Sequence, residues 1–273
     1  HVRSRRQRQM CIRDSSNWME IGFREENEPK HFFPIYEKYN ILQHGCGGMN
    51  HLCPDLTIGL QLGWKGLLEK VRYYKKLNIH GDVSFYEGEE QLLLGVLEWI
   101  KRHVDYTRGL AENAAEEELR IHYTQVADCN EWLLENPPQT LREACQFTAH
   151  FQCIDRMYYA GGALGQMDEL FRPYYEKDKE SFGLTDEEAV WYFASLFFND
   201  THYSQIGGLT PAGDQDLASR VSFLILDAVH YLKIPSNVAI RVHDSMNEVL
   251  LRRSLEYNIC LLYTSDAADD SLR

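Results

Sequence analysis

The sequence has no apolar run of the roughly 18 residues that a membrane-spanning helix needs, which argues against a transmembrane segment. It is also short of positive charge, because 28 Lys and Arg stand against 41 Asp and Glu, a net charge of −13 at pH 7. That balance argues against a general binder of nucleic acid or of anionic membranes. The opening residues HVRSRRQRQMCIRDS are basic but lack the apolar stretch of a secretory signal.

The sequence does contain enough apolar material for a folded core. Of its 273 residues, 44% are hydrophobic and 12% are aromatic. This length fits one large domain or two small ones. The aromatic content and several strongly periodic segments argue against disorder.

Both ends of the chain are interpreted as translated sequencing-adapter DNA. Residues 1–14 back-translate to a barcode, a primer site and the transposon end ATGTGTATAAGAGACAG, whose last two bases begin the codon of Ser15. The reverse complement of the same DNA translates without a mismatch as residues 260–273, with one barcode satisfying both ends. Such segments are excluded from fold reasoning. We therefore expect no fold in residues 1–15 and 260–273, and a partial domain of a longer protein in residues 16–259.

Removing the ends changes the composition. They hold six Lys and Arg and four Asp and Glu, so the remaining stretch carries 22 basic against 37 acidic residues, a net charge of −15. The cysteines that remain are Cys46, Cys53, Cys129, Cys145 and Cys153. They form no recognisable disulfide framework and are typical of a protein of the reducing cytoplasm.

Hydrophobic spacing predicts a helix-rich chain with few strands. Capping boxes at Thr140-x-x-Glu143 and Thr185-x-x-Glu188 each mark a helix start. Helices are expected from Leu60 to about Asn78, around Leu93–Val104, from Ala115 to about Leu134, from the Thr140 cap through the Ala144–Tyr158 stripe, from Asp168 to about Tyr175, from Thr185 to about Phe198, over Leu217–Tyr231 and from Asn247 onward. Alternating β-branched residues predict one strand over 237–243.

A cluster of two His and two Cys resembles the ligand set of a metal site. His44-x-Cys46 and His51-x-Cys53 carry the ligand types that zinc takes. Their spacing matches no standard zinc finger, and no second Cys pair follows at the distance of a zinc ribbon. A turn with small buried thiols and loop histidines is the favoured interpretation, so no metal is predicted.

Two further polar positions allow two interpretations each. Asp168 and Glu169 follow a glycine-rich turn and open a helix, where carboxylates are stabilising; alternatively, the turn lines a pocket. Arg241 and His243 lie on one face of the predicted strand. An arginine on a buried strand is either paired within the protein, the default, or meets an anionic ligand.

The motifs together resemble one family, the glycyl radical enzymes of the pyruvate formate-lyase superfamily. Five segments match in order: Gly48-Met-Asn-His51-x-x-Pro54-Asp55, Pro138-x-Thr140-x-x-Glu143-Ala144, Gly165-Gln-Met-Asp168-x-x-x-x-Pro173-Tyr-Tyr-x-x-Asp178, Gly207-Gly208-Leu-Thr-Pro-x-Gly213-x-x-Asp216 and Pro235-x-x-Val238-x-Ile-Arg241. They resemble the family patterns G-H-x-x-P-D (with altered spacing), P-x-T-x-x-E-A, G-R-x-D-x-x-x-x-P-x-Y-x-x-D, G-G-x-x-x-x-G-x-D-A-x-N and P-x-x-x-V-R. The five segments span nearly all of residues 16–259.

The resemblance implies an α/β fold: a helix-rich fragment of a ten-stranded barrel, mostly helical within this chain. In the family, a glycyl radical oxidises a cysteine to a thiyl radical, which attacks a small substrate inside an enclosed barrel. The radical is installed by an activating enzyme that uses S-adenosylmethionine and an iron–sulfur cluster. The resemblance further implies a homodimer when full length, with no cofactor bound by this fragment. No nucleic-acid or membrane partner is expected, because of the charge balance and the lack of a long apolar run.

The residues that carry the radical are not found in this sequence. In the family, the thiyl cysteine and the radical glycine both follow the strand that ends at Arg241, so no catalytic residue is assigned. The matching positions leave His51, Asp168 and Arg241 as residues that line or support a substrate pocket. Gln166 stands where the family usually has Arg, and Ser219 where it has Asn. The expected function is radical C–O or C–C cleavage of a small oxygenated substrate by the full-length enzyme. A non-catalytic helical scaffold or binding module of the same fold is the alternative.

Overall fold

The computed structural model describes residues 53–78, 80–158, 163–199, 203–234 and 236–261, together with Pro34. Within these residues lie eight helices and three short strands. In chain order they are α1 (Leu56–Leu77), α2 (Ser84–Asn113), α3 (Glu117–Glu135), α4 (Leu141–Tyr158), β1 (Gly165–Gln166), α5 (Met167–Phe182), α6 (Asp186–Asn199), β2 (Ser204–Gly207), α7 (Arg220–Leu232), β3 (Val238–Arg241) and α8 (Glu248–Leu261). None of these helices is both long enough and apolar enough to cross a membrane.

The chain divides into two compact units. Among the described residues, the helical unit comprises those within 55–149 and 170–196, and the sheet unit comprises Cys53, Pro54 and those within 150–169 and 197–261. The helical unit holds a large apolar core, because α1 to α6 each contribute a stripe of buried side chains. Its largest fully buried members are Ile100, Leu133, Leu141, Phe147, Phe171 and Phe193.

Local signals set the helix ends in the helical unit. The side chain of Asp55 accepts a hydrogen bond from the Thr57 N–H (3.0 Å) at the start of α1. The predicted capping box at α4 is confirmed, since Thr140 Oγ1 accepts from the Glu143 N–H and Glu143 Oε2 accepts from the Thr140 N–H. The box at α6 is confirmed in the same way between Thr185 and Glu188.

Helix α5 is longer than the sequence predicts. Its expected end was near Tyr175, because residues 176–180 carry no apolar signal, yet the helix continues to Phe182 and ends at Gly183, which has a φ of +70°. The continuation is fixed by Asp178, a buried residue whose Oδ2 accepts a hydrogen bond from the Leu141 N–H at 2.7 Å. A charged residue that caps a neighbouring helix leaves no trace in hydrophobic periodicity.

The sheet unit contains a parallel three-stranded sheet in the order β1–β2–β3. Gln166 pairs with Gln205, Gln205 with Ala239, and Gly207 with Arg241. The strand predicted over 237–243 is present, but β3 is shorter and covers only Val238–Arg241. Strands β1 and β2 were not predicted, because two and four residues are too few to show alternation.

The two faces of this sheet differ. Val238 and Ile240 face a cavity of about 160 Å³ between β3, α7 and α8, whose lining is mostly apolar. Ser204 and Ile206 of β2 are buried. Side chains alternate along a strand, so the opposite face carries Gln166, Gln205, Ala239 and Arg241. Three of those four residues are polar, and this face is the candidate functional surface, called the polar face below.

Candidate functional site

A chain of side-chain hydrogen bonds crosses the carboxyl ends of the three parallel strands. Arg241, the last residue of β3, donates from Nη1 to Gln166 Oε1 at 2.9 Å. Gln166, the last residue of β1, donates from Nε2 to the Gly207 carbonyl oxygen of β2 at 2.8 Å. The carboxyl ends of parallel strands are where ligands bind in α/β sheets. Arg241 is thus held at the carboxyl end of the sheet, which makes it a candidate ligand-binding residue.

The glycine pair at the end of β2 makes room for this arrangement. Gly207 and Gly208 have φ angles of +69° and +99°, a backbone region that residues with a Cβ rarely adopt. A Cβ on residue 208 would lie 2.9 Å from Cζ and Nε of Arg241. The Arg241 side chain therefore packs directly on the Gly208 backbone.

Replacing Gly208 by alanine is expected to lower the free energy of unfolding by about 2–3 kcal/mol, from backbone strain at positive φ plus the clash with Arg241. Gly213 is the matched control, because it has a φ of +76° and no atom within 4 Å of an added Cβ. Gly213→Ala should lose only the strain, about 1 kcal/mol. Urea unfolding of both variants measures the difference, and equal losses would contradict the packing of Arg241 on residue 208.

Asp168 lies beneath this surface. It is fully buried, and its Oδ2 accepts from the Gly207 N–H at 2.7 Å and from Ser222 Oγ at 2.5 Å. Its Oδ1 accepts from the Glu169 N–H at 3.0 Å. One carboxylate thereby joins the start of α5, the end of β2 and the first turn of α7.

Burial also changes the acidity of Asp168. Removal from water raises the pKa of its carboxyl above the ordinary value, and the hydrogen bonds from Ser222 and Gly207 oppose that rise. Among the residues that the structure describes, Asp168 makes no ion pair that would offset the loss of hydration. It is a buried support for the glycine pair rather than a group on the polar face.

A second carboxylate fastens the loop after β2 to the turn after β3. Asp216 Oδ2 accepts from the Asn247 N–H at 2.7 Å, and its Oδ1 accepts from the Ala218 N–H at 3.0 Å and lies 3.2 Å from His243 Nε2. Burial raises the pKa of Asp216, but these hydrogen bonds outweigh it, so the pKa lies below its usual value. The motifs contained Asp216, but sequence reasoning assigned it no partner.

The three predicted site residues have different surroundings. Arg241 is exposed on the polar face, Asp168 is buried behind it, and Gln166 and Gly207 connect the two. His51 lies outside the described residues. His243, which was expected to share a face with Arg241, instead lies beyond the end of β3 and contacts Asp216 and Ser245.

Two of the described cysteines are buried and unreactive. None of Cys53, Cys129, Cys145 and Cys153 takes part in a disulfide. Burial raises the pKa of Cys129 to about 12 and also raises that of Cys145, so both remain protonated at neutral pH. His44, Cys46 and His51 of the possible zinc cluster lie outside the described residues. Elsewhere in the described ranges no group of three or more His, Cys, Asp or Glu could hold a metal ion, and the absence of a metal stays a prediction.

Comparison with known proteins agrees with this architecture. A family model described as "Pyruvate formate lyase-like" matches residues 41–273. Isethionate sulfite-lyase of Bilophila wadsworthia is 28% identical over 232 residues, which cover 71% of this chain and 27% of that protein. The 4-hydroxyphenylacetate decarboxylase glycyl radical subunit of Clostridioides difficile is 25% identical over 178 residues, 61% of this chain and 19% of that subunit.

Solved structures of glycyl radical enzymes share this fold. The crystal structure of a glycyl radical enzyme from Archaeoglobus fulgidus aligns with a TM-score of 0.71 at 21% identity, covering 82% of this chain and 34% of that one. The fold class is therefore the predicted one, a helix-rich α/β part of the glycyl radical enzyme barrel. The chain belongs to the pyruvate formate lyase-like family of glycyl radical enzymes. It spans about a fifth to a quarter of the length of the curated relatives it matches.

Proposed function

We propose that this chain is part of a glycyl radical enzyme that cleaves a C–O or C–C bond of a small oxygenated substrate, of the dehydratase or formate-lyase type. The observation that carries the proposal is the polar face, where Arg241 is held by Gln166 at the carboxyl ends of the sheet in a chain of this family. The names of two relatives fit a small substrate of this kind, since isethionate and 4-hydroxyphenylacetate are both small oxygenated molecules.

The residues of this chain would bind and orient the substrate. Arg241 would hydrogen-bond to a substrate oxygen, His51 would do the same, and Asp168 would keep the glycine pair and the sheet ends in place. The radical glycine and the thiyl cysteine would supply hydrogen abstraction from the substrate. We propose, from the family resemblance, that both lie in the part of the longer protein that follows this chain. The 19% to 27% of its relatives that the chain covers leaves room for such a part. We further propose that the full-length protein is a cytoplasmic homodimer, activated by an iron–sulfur enzyme that uses S-adenosylmethionine.

Extending the gene past Asn258 and co-expressing the product anaerobically with an activating enzyme is expected to give a glycyl-radical resonance in electron paramagnetic resonance spectra. The 273-residue chain, treated identically, should give none and should turn over no substrate. Replacing the radical glycine of the extended protein by alanine is the control, and it should abolish the signal.

The extended sequence also decides between the remaining alternatives. A thiyl cysteine loop together with a C-terminal R-V-x-G-[YF] motif supports the enzyme, whereas their absence supports a non-catalytic homologue that binds but does not react. An acidic residue two positions after the thiyl cysteine favours a dehydratase, and adjacent cysteines favour the formate-lyase type. A radical signal from the 273-residue chain itself would contradict the proposal that its radical segments lie elsewhere.

A further inference from the structure

We infer that the polar face binds the anionic group of the substrate, a carboxylate or a sulfonate, in the fork of the Arg241 guanidinium. This inference rests on the proposed function, because it specifies the substrate class of the same site. The sheet register places Gln166, Gln205, Ala239 and Arg241 on one face. Among the four, Arg241 alone is charged, and Ala239 and Gly207 leave space beside it.

The guanidinium has unused hydrogen-bonding capacity. Its one described hydrogen bond uses Nη1, and within the described residues Nε and Nη2 have no partner. Gln205, the middle residue of the face, is exposed and its amide likewise has no hydrogen-bond partner in the described part of the chain. Arg241 therefore offers two donors in the planar arrangement that matches the two oxygens of a carboxylate or sulfonate.

The negative charge nearest in sequence to the face is turned away from it. Both oxygens of Asp168 accept hydrogen bonds inside the protein, from Gly207, Ser222 and Glu169. Asp168 is fully buried, so its carboxylate cannot occupy the guanidinium fork. Within the described ranges, no carboxylate forms an ion pair with the guanidinium of Arg241, whose one hydrogen bond goes to the neutral Gln166 amide.

Gln166 orients the guanidinium of Arg241. Its amide oxygen accepts from Arg241, while its amide nitrogen is fixed by the Gly207 carbonyl oxygen, so the guanidinium is held at one end and open at the other. An arginine at position 166 has no acceptor atom, so it could not take the hydrogen bond that Gln166 Oε1 accepts from Arg241. The neutral amide therefore keeps a single, oriented cation on the face, and Gln166 is a positioning residue.

The test is nuclear magnetic resonance of the arginine side chains in the 273-residue chain, titrated with sodium methanesulfonate, sodium acetate and neutral acetamide against a sodium chloride background. The Arg241 Nε–H signal is expected to shift saturably with the two anions, with a dissociation constant of roughly 1–10 mM. Acetamide should have no saturable effect. The tighter of the two anions identifies the substrate group as sulfonate or carboxylate.

A reference arginine and three variants distinguish specific anion binding at Arg241 from non-specific attraction of anions to the protein surface. Arg252 is an exposed arginine of α8 and should shift only linearly. Gln205→Glu should weaken anion binding at least fivefold by placing a carboxylate on the same face. Gln166→Ala should weaken it by removing the acceptor that orients Arg241. Arg241→Lys should keep part of the attraction but lose the fork.

Two results would overturn the inference: an Arg241 signal that moves no more than that of Arg252, or an equal response to acetamide and acetate. Neither result depends on a radical. Saturable anion binding without a glycyl radical in the extended protein would instead count against the proposed function. A radical without anion binding at Arg241 would leave that function intact and remove the anionic substrate.

Discussion

Replacing Asp168 by alanine is expected to lower the free energy of unfolding by about 2–4 kcal/mol. The change leaves the buried Gly207 N–H and the Ser222 hydroxyl without their acceptor, and it disconnects three elements that meet at one carboxylate. Urea unfolding followed by tryptophan fluorescence measures the loss. Asp244 is a matched control, an exposed aspartate whose replacement by alanine should change stability by less than about 0.5 kcal/mol.

The acidity of Asp168 gives this prediction a pH dependence. Its pKa is raised in the folded protein, so the folded state binds a proton at a higher pH than the unfolded state does. The charged carboxylate costs stability above the folded-state pKa, and that cost disappears as the pH falls through this pKa toward the ordinary value.

Asp168→Asn isolates this effect, because it keeps the size of the side chain and removes its titration. The stability of the parent protein, relative to Asp168→Asn, should increase as the pH falls from 7 toward the ordinary aspartate pKa. All other titrating groups are common to both proteins and cancel in the difference. Parallel pH profiles would show that burial does not perturb Asp168.

Sequence periodicity predicted the helices because their apolar stripes are long. Helix α2 spans 30 residues and α4 spans 18, and each buries residues at helical spacing. It failed where structure depends on contacts remote in sequence. Strand β1 has only two residues, and its place in the sheet comes from pairing with β2, 39 residues along the chain.

For the candidate site, the sequence predicted which residues matter but not how they contact one another. The motifs named Asp168 and Arg241, and the departure from the family pattern drew attention to Gln166. No spacing rule could show that Gln166 bridges β2 and β3, since that contact joins positions 75 residues apart. Likewise, periodicity could not reveal that Asp168 faces inward while Arg241 faces outward, because the first residue opens a helix and the second ends a strand. The division of roles between a buried acid and an exposed cation became visible only with the fold.

The helical unit allows the other large prediction. Phe147 of α4 is 1% exposed and stacks on Trp64 of α1 with ring centroids 4.6 Å apart. Phe147→Ala should lower the free energy of unfolding by about 3–5 kcal/mol, because it removes a buried aromatic ring and leaves a cavity. Phe182→Ala is the control, since Phe182 is 70% exposed and its truncation should cost little.

A second substitution tests whether the loss comes from this one contact. A Cβ on Gly59 would lie 2.9 Å from two ring atoms of Phe147, so Gly59→Ala should destabilise the parent protein. In the Phe147→Ala background the ring is gone, and Gly59→Ala should become stabilising by up to about 1 kcal/mol, the usual preference of a helix for alanine over glycine. The sign of the effect of Gly59→Ala should therefore reverse between the two backgrounds in a double-mutant cycle. Additive effects would mean that residue 59 and the Phe147 ring are not in contact, and the packing of α1 against α4 would have to be different.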